Sequence, residues 1–270
     1  MRLTRWSDGR PRVPILLYHM IVRAGERADP AMAVSQSRFD RQLAVLGEAG
    51  YTCLSLDRLV AYVRDGQPVP ARSFVLTFDD GFLSTYRLAW PVLRRHGMTA
   101  TVFLVSDRVG AQSEWMRVEP SGPQLLMGPE QIREMRSGGI DFASHGRTHA
   151  HLTSLDDAAL GDELAGSRRQ LAALIGREVR TLGYPHGEWD ARVRSAAEQA
   201  GYTAAVSVMA GWNHPGTDLL ALRRLVVTGR DTPHTLLLKM ILGEHRLCWH
   251  RAAWQLARTA CRRATKSFAP

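Results

Sequence analysis

Eight short apolar runs, each followed by a segment of helical spacing, constrain this chain more than any other feature. The strand candidates are residues 13–18, 51–56, 74–78, 100–105, 140–144, 181–184, 203–208 and 225–228. Between them, "SRFDRQLAVLGEAG" places Phe39, Leu43 and Leu46 on one helical face and closes on Gly50. "GPEQIREMRSGG" puts Pro129 near a helix start, and "SLDDAALGDELAGSRRQLAALIG" opens with a Ser154-x-x-Asp157 capping pattern and stops at Gly176. A regular β-then-α rhythm argues for a parallel sheet, because parallel neighbours need a crossover connection. About eight such units in 270 residues predict an α/β fold: a distorted, TIM-like (β/α) barrel of seven or eight strands. No linker splits the chain, so residues 1–243 are assigned to one barrel and 244–270 to a basic C-terminal helix or tail.

In a barrel of this kind, side chains at the C-terminal ends of strands converge on one face. Three polar clusters occupy such positions. "FVLTFDDGF" delivers Asp79 and Asp80 at a strand end, "IDFASHGRTHAHL" delivers His145, His149 and His151, and "TLGYPHGEWD" delivers Tyr184, Pro185, His186 and Gly187. Alone, each reads as a turn or a solvated surface group; together and in this order they point to one site. Two imidazoles four residues apart, with one carboxylate, form a donor set with open positions that suits catalytic zinc or, in another geometry, iron. The second carboxylate is then free to act as base toward a water that the ion acidifies.

"TFDDG", "SHGRTHAHL" and "YPHG" together resemble the polysaccharide deacetylases of the NodB-homology, carbohydrate esterase 4 type, in their Tyr-Pro-x-Gly subgroup. "ILLYHMI" and the helix and strand after it resemble the opening of many members, so the likeness spans nearly the whole chain. The resemblance implies a hydrolase that removes N-acetyl, or O-acetyl, groups from sugars with a divalent ion, most often Zn2+, with Co2+, Ni2+ and Fe2+ as alternatives. It also implies Asp79 as general base, Asp80, His145 and His149 as metal ligands, and the His186 backbone N–H as oxyanion donor. Tyr184, Pro185, His19 and Trp212 are candidate substrate contacts, with Trp189 a second aromatic face.

Three departures from the family pattern stand out. Gly146 takes the place of a Ser or Thr after the first ligand His, and Gly183 the place of an Arg that pairs with the catalytic Asp. The late Leu-x-His that supplies a general acid has no match; His214 and His234 do not fit it. Two competing readings are a deacylase or amidohydrolase for a non-sugar substrate and a decayed glycan-binding module.

The formal charge of +9 favours an anionic partner. Its Arg residues are spread without a nucleic-acid motif, so no nucleic-acid role is expected. The tail carries Arg246, Arg251, Arg258, Arg262, Arg263 and Lys266 against Glu244 alone. It reads either as a helix on an anionic membrane surface or, preferred here, as a terminal helix packed on the barrel. Cys53, Cys248 and Cys261 lack metal-type spacing and read as free thiols. No signal peptide or membrane span is visible, which places the expectation at the cytoplasm or the cytoplasmic face of a membrane.

Overall fold

The computed structural model describes residues 9–115 and 124–245. Eight strands form one parallel sheet: β1 (Ile15–Tyr18), β4 (Thr52–Leu54), β5 (Ser73–Phe78), β6 (Thr101–Leu104), β7 (Asp141–Ser144), β8 (Thr181–Gly183), β9 (Ala204–Val206) and β10 (Arg224–Val226). Their spatial order is β10-β1-β5-β6-β7-β8-β9, with β4 paired to the first half of β5. The ends of this seven-stranded wall nearly meet. Ser207 N–H donates to Leu222 O at 2.8 Å and Leu222 N–H to Ala205 O at 2.9 Å, linking β9 to the residues that lead into β10. The distorted (β/α) barrel read from the sequence is therefore the observed fold.

Helices α1 (Gln36–Glu48), α3 (Trp90–Arg95), α4 (Pro129–Ser137), α5 (Asp157–Ile175), α6 (Ala191–Gln199) and α7 (Pro233–Leu242) alternate with these strands. Phe39, Leu43 and Leu46 are fully buried on α1, and Pro129 occupies the first turn of α4. The start of α5 differs from expectation. Its N-cap is Asp156, whose carboxylate accepts from Ala159 N–H at 2.8 Å, so the Ser154 pattern lies two residues too early. A small parallel pair, β2 (Met20–Val22) with β3 (Ala33–Ser35), was not legible in the sequence. Three-residue strands carry too little periodicity to stand out.

Period-2 alternation divides the core. Leu16, Leu76, Val102, Phe142 and Ala205 face the helices, while Ile15, Val75, Phe103, Ala143, Ala204 and Val206 join a second cluster. That second cluster is completed by Leu56, Leu59, Val60, Tyr62 and Val63 of α2 (Leu56–Asp65). The Tyr62 hydroxyl donates to Pro11 O, ahead of β1, so α2 seals the barrel near the N-terminal ends of its strands. The opposite end is left open for polar groups. Cys53 is a free thiol that burial pushes up to about 12. Cys248 and Cys261, with nearly all of the basic tail, lie outside the described residues. Among the described residues, no helix is long and apolar enough to cross a membrane.

Candidate metal and catalytic site

Each of the three sequence clusters follows a strand of the same wall. Asp79 and Asp80 follow β5, His145 follows β7, and the turn Pro185–Gly187 follows β8. The backbone there is unusual: among the described residues, the non-glycine ones with positive φ are Asp80 (71°), His149 (69°) and His186 (58°). Such conformations cost about 1–3 kcal/mol each and persist only where surrounding contacts dictate them. All three belong to one site.

Asp80, His145 and His149 are buried, and one ligand atom from each lies within 4.8 Å of the others. Asp80 Oδ1 is 3.2 Å from His149 Nε2 and 3.5 Å from His145 Nε2, yet it has no hydrogen-bond partner. A buried carboxylate oxygen without a donor is costly. A cation between the three atoms removes that cost. His145 Nδ1–H donates to Gly183 O at 2.7 Å, which fixes the tautomer and leaves Nε2 free to coordinate. The donor set thus fits a divalent ion with open positions. Burial lowers the His145 imidazole to about 4, so it is neutral, as a ligand must be, at neutral pH. Burial alone would raise the Asp80 carboxyl, but His149, His19 and His145 hold it well below the usual carboxylate range.

Asp79 sits beside this cluster and is held differently. Arg224, fully buried on β10, donates through Nη1 to Asp79 Oδ1 at 2.6 Å and through Nη2 to Oδ2 at 2.8 Å. Its Nε–H donates to Ser207 O, and its guanidinium lies 5.6 Å above the Phe103 ring. Burial pushes the Asp79 carboxyl up; Arg224, then His145 and His19, bring it below its ordinary value. Asp79 is therefore a buried, oriented carboxylate with its charge retained. The cation that position 183 lacks comes from the last strand. An Arg at 183 would not fit, since a Cβ there would lie 2.9 Å from the Phe103 ring and 3.1 Å from His145 Nδ1.

The second departure is also compensated. A side chain at Gly146, where φ is +75°, would meet Glu163 Oε1 at 2.9 Å. Glu163, buried on α5, accepts from Arg147 N–H (2.8 Å), Thr148 N–H (2.7 Å) and the Thr148 hydroxyl (3.0 Å). This carboxylate, rather than a hydroxyl at 146, shapes the loop between the two histidines. Neither Arg224 nor Glu163 was singled out in the sequence. A signal was present for both: an arginine inside the apolar run "LRRLVV" and a glutamate within the buried stripe of α5. Trp115, stacked on the His149 ring at 4.3 Å and 17°, carried no such signal, because it lies in a long connection.

The remaining expected residues separate. His19 follows β1 on the side of Asp79 and Asp80, and its buried Nδ1 has no partner. His186 is exposed; its Nε2 meets His149 O at 3.2 Å and its ring stacks on His151 at 3.8 Å. His151 in turn bonds Glu188, so it stands outside the ligand cluster. Tyr184 cannot face a substrate: it is fully buried, stacked against Trp189, and its hydroxyl donates to Leu220 O. Pro185 is buried in the wall beneath Gly146. Trp212, expected at the substrate face, packs instead under Arg12, ahead of β1, and donates to Met240 O on α7. His214 bonds to Pro215 O and His234 is exposed on α7; neither is brought to the cluster.

The comparisons agree with this geometry. The chain is 26% identical over 217 residues to YxkH of Bacillus subtilis (strain 168), which bears a polysaccharide deacetylase name, covering 80% of this chain and 72% of that one. It is 25% identical over 166 residues to the poly-beta-1,6-N-acetyl-D-glucosamine N-deacetylase of Staphylococcus aureus (strain MSSA476), covering 57% of this chain and 54% of that enzyme. The chain thus spans about half the length of the staphylococcal enzyme. The structure of the Streptococcus pyogenes deacetylase PplD in complex with acetate superposes with a TM-score of 0.74 at 25% identity, covering 86% of this chain and 99% of that one. The family model for polysaccharide deacetylases matches residues 66–205, from the approach to β5 into β9 and so including Asp79, Asp80, His145, His149 and His186; the chain belongs to the polysaccharide deacetylase family of hydrolases.

Proposed function

We propose that the chain is a metal-dependent deacetylase that removes the N-acetyl group from an amino sugar within a polysaccharide. The observation that carries this is the pairing of two buried carboxylates: Asp80 faces two imidazoles without a hydrogen bond at Oδ1, while Asp79 beside it is gripped by Arg224. Asp80, His145 and His149 would hold the ion, and two imidazoles with one carboxylate favour Zn2+. When bound, a divalent ion supplies Lewis acidity toward a carbonyl and a lowered pKa for water.

The chain's own residues supply the rest. Asp79, kept ionised by Arg224, takes the proton from the attacking water. The His186 backbone N–H, fixed by its left-handed conformation, donates to the developing oxyanion. His19, at the end of β1 with its buried Nδ1 unpartnered, is the residue proposed to orient the sugar. The substrate proposed first is β-1,6-linked N-acetylglucosamine, since a relative carries that polymer in its name. Acetate release from such oligomers, compared with β-1,4-linked and O-acetylated glycans, tests the reading. Release that stops with chelator and returns with Zn2+ is the expected result; release unaffected by chelator would refute the metal's part.

A further inference from the structure

We infer that Trp115 is a positioning residue for His149, its indole face doing for this imidazole what a hydrogen bond does for His145. The inference rests on reading Asp80, His145 and His149 as metal ligands. Ligating histidines are ordinarily aimed by a hydrogen bond from the second ring nitrogen, and loss of that partner costs about 10–100-fold in metal affinity. His145 has such a partner in Gly183 O. His149 does not: its Nδ1 is buried with no partner.

Two aromatic contacts hold the ring instead. Trp115 lies nearly parallel to it, at 4.3 Å and 17°, and the His186 ring meets it edge-on at 4.4 Å and 67°. A flat indole against one face removes the ring's freedom to tilt, and its π-cloud favours an imidazole made electron-poor by coordination. The loop that brings Trp115 there is tied to the ligand loop itself. Ser106 N–H donates to Gly146 O and Asp107 N–H to Arg147 O, while Arg147 Nε–H donates to the Asp107 carboxylate at 2.9 Å. On its other side Gly110 N–H donates to Met127 O, Ser113 N–H to Gln124 O, and Arg108 pairs with Glu114 next to Trp115. The indole and the imidazole are thus carried by two mutually bonded loops, so their stacking is built into the fold.

Co2+ binding to the full chain tests this, measured by competition with a chromophoric chelator and by the visible Co2+ spectrum. Trp115→Ala should weaken Co2+ by about 10–100-fold and alter the spectrum, while the thermal midpoint of the metal-free chain stays near that of wild type. Trp115→Phe, which keeps an aromatic face, should recover most of the affinity. In a His149→Ala background, Trp115→Ala should change nothing further. A folded Trp115→Ala chain with wild-type Co2+ affinity and spectrum overturns the assignment, as does an equal loss in the His149→Ala background. Should Trp115→Ala fail to fold, Trp115→Leu, which keeps apolar bulk without a stacking face, takes its place with the same expectations. A wild-type chain that binds no Co2+ would sink the metal site itself, a result separable from failure of the indole's role alone.

Discussion

Arg224 and Asp79 form a bidentate, fully buried ion pair, and removing either charge strands the other. Arg224→Met should therefore destabilise the chain by about 3–5 kcal/mol in urea unfolding. Arg224→Lys should not restore that stability, because an ammonium lacks the planar fork that bonds both Asp79 oxygens and Ser207 O. Asp79→Asn keeps the shape but not the basicity. We expect acetate release to fall by about 10²–10⁴-fold, with Co2+ still bound, whereas His149→Ala should lose both release and tight metal binding. Full turnover by Asp79→Asn would transfer the base to another residue. At this scale the two carboxylates were visible in "TFDDG", but their partner was not. Arg224 is 145 residues from Asp79 along the chain, and only barrel closure brings them together.

Two elements act on the site from opposite sides. Helix α5 reaches the ligand loop through Glu163, whose three accepted hydrogen bonds organise residues 147 and 148. Glu163→Ala would leave buried donors unsatisfied; a loss of about 3 kcal/mol in stability together with weaker Co2+ binding is expected, measured by unfolding and chelator competition. Helix α2 seals the other end of the barrel, packed in the apolar cluster with Val13, Ile15 and Val75. Leu59→Ala on α2 should cost about 2–5 kcal/mol with Co2+ affinity unchanged once the chain is folded. If Leu59→Ala weakened the metal as much as Glu163→Ala, the loop would be governed by global stability and not by its carboxylate. Strand ends shifted by a residue or two from the sequence reading, as terminal pairs fray, but the order of the eight barrel strands was legible.

For the whole molecule, His145 supplies the pH dependence. Its imidazole titrates near 4 in the folded chain because it is buried, against an ordinary value of 6.5. Between these values the unfolded chain binds the proton and the folded chain does not. Stability of the chelator-treated protein should therefore be complete above about pH 6.5 and fall toward pH 4, by up to about 1.4 kcal/mol per pH unit. Urea unfolding across that range checks the slope, and His145→Gln should flatten it. Asp79 and Asp80 lie below their ordinary values and withdraw their support only at more acidic pH. On the proposed reading the site takes up a divalent ion only when folded, so a concentration about 100 times its Kd should add about 2.7 kcal/mol, read as a raised unfolding midpoint that chelator reverses.

The sequence by itself determined the parallel β-α order, the amphipathic helices, and the three strand-end clusters holding Asp79, Asp80, His145, His149 and His186, because periodicity and turn chemistry are local properties. Tertiary structure decided the rest. It brought Arg224 to Asp79 and Glu163 to the ligand loop, laid Trp115 on His149, and turned Tyr184 and Trp212 away from the site. These contacts join residues distant in sequence, and which distant groups meet is fixed by closing the sheet and packing its helices, a property no single segment carries.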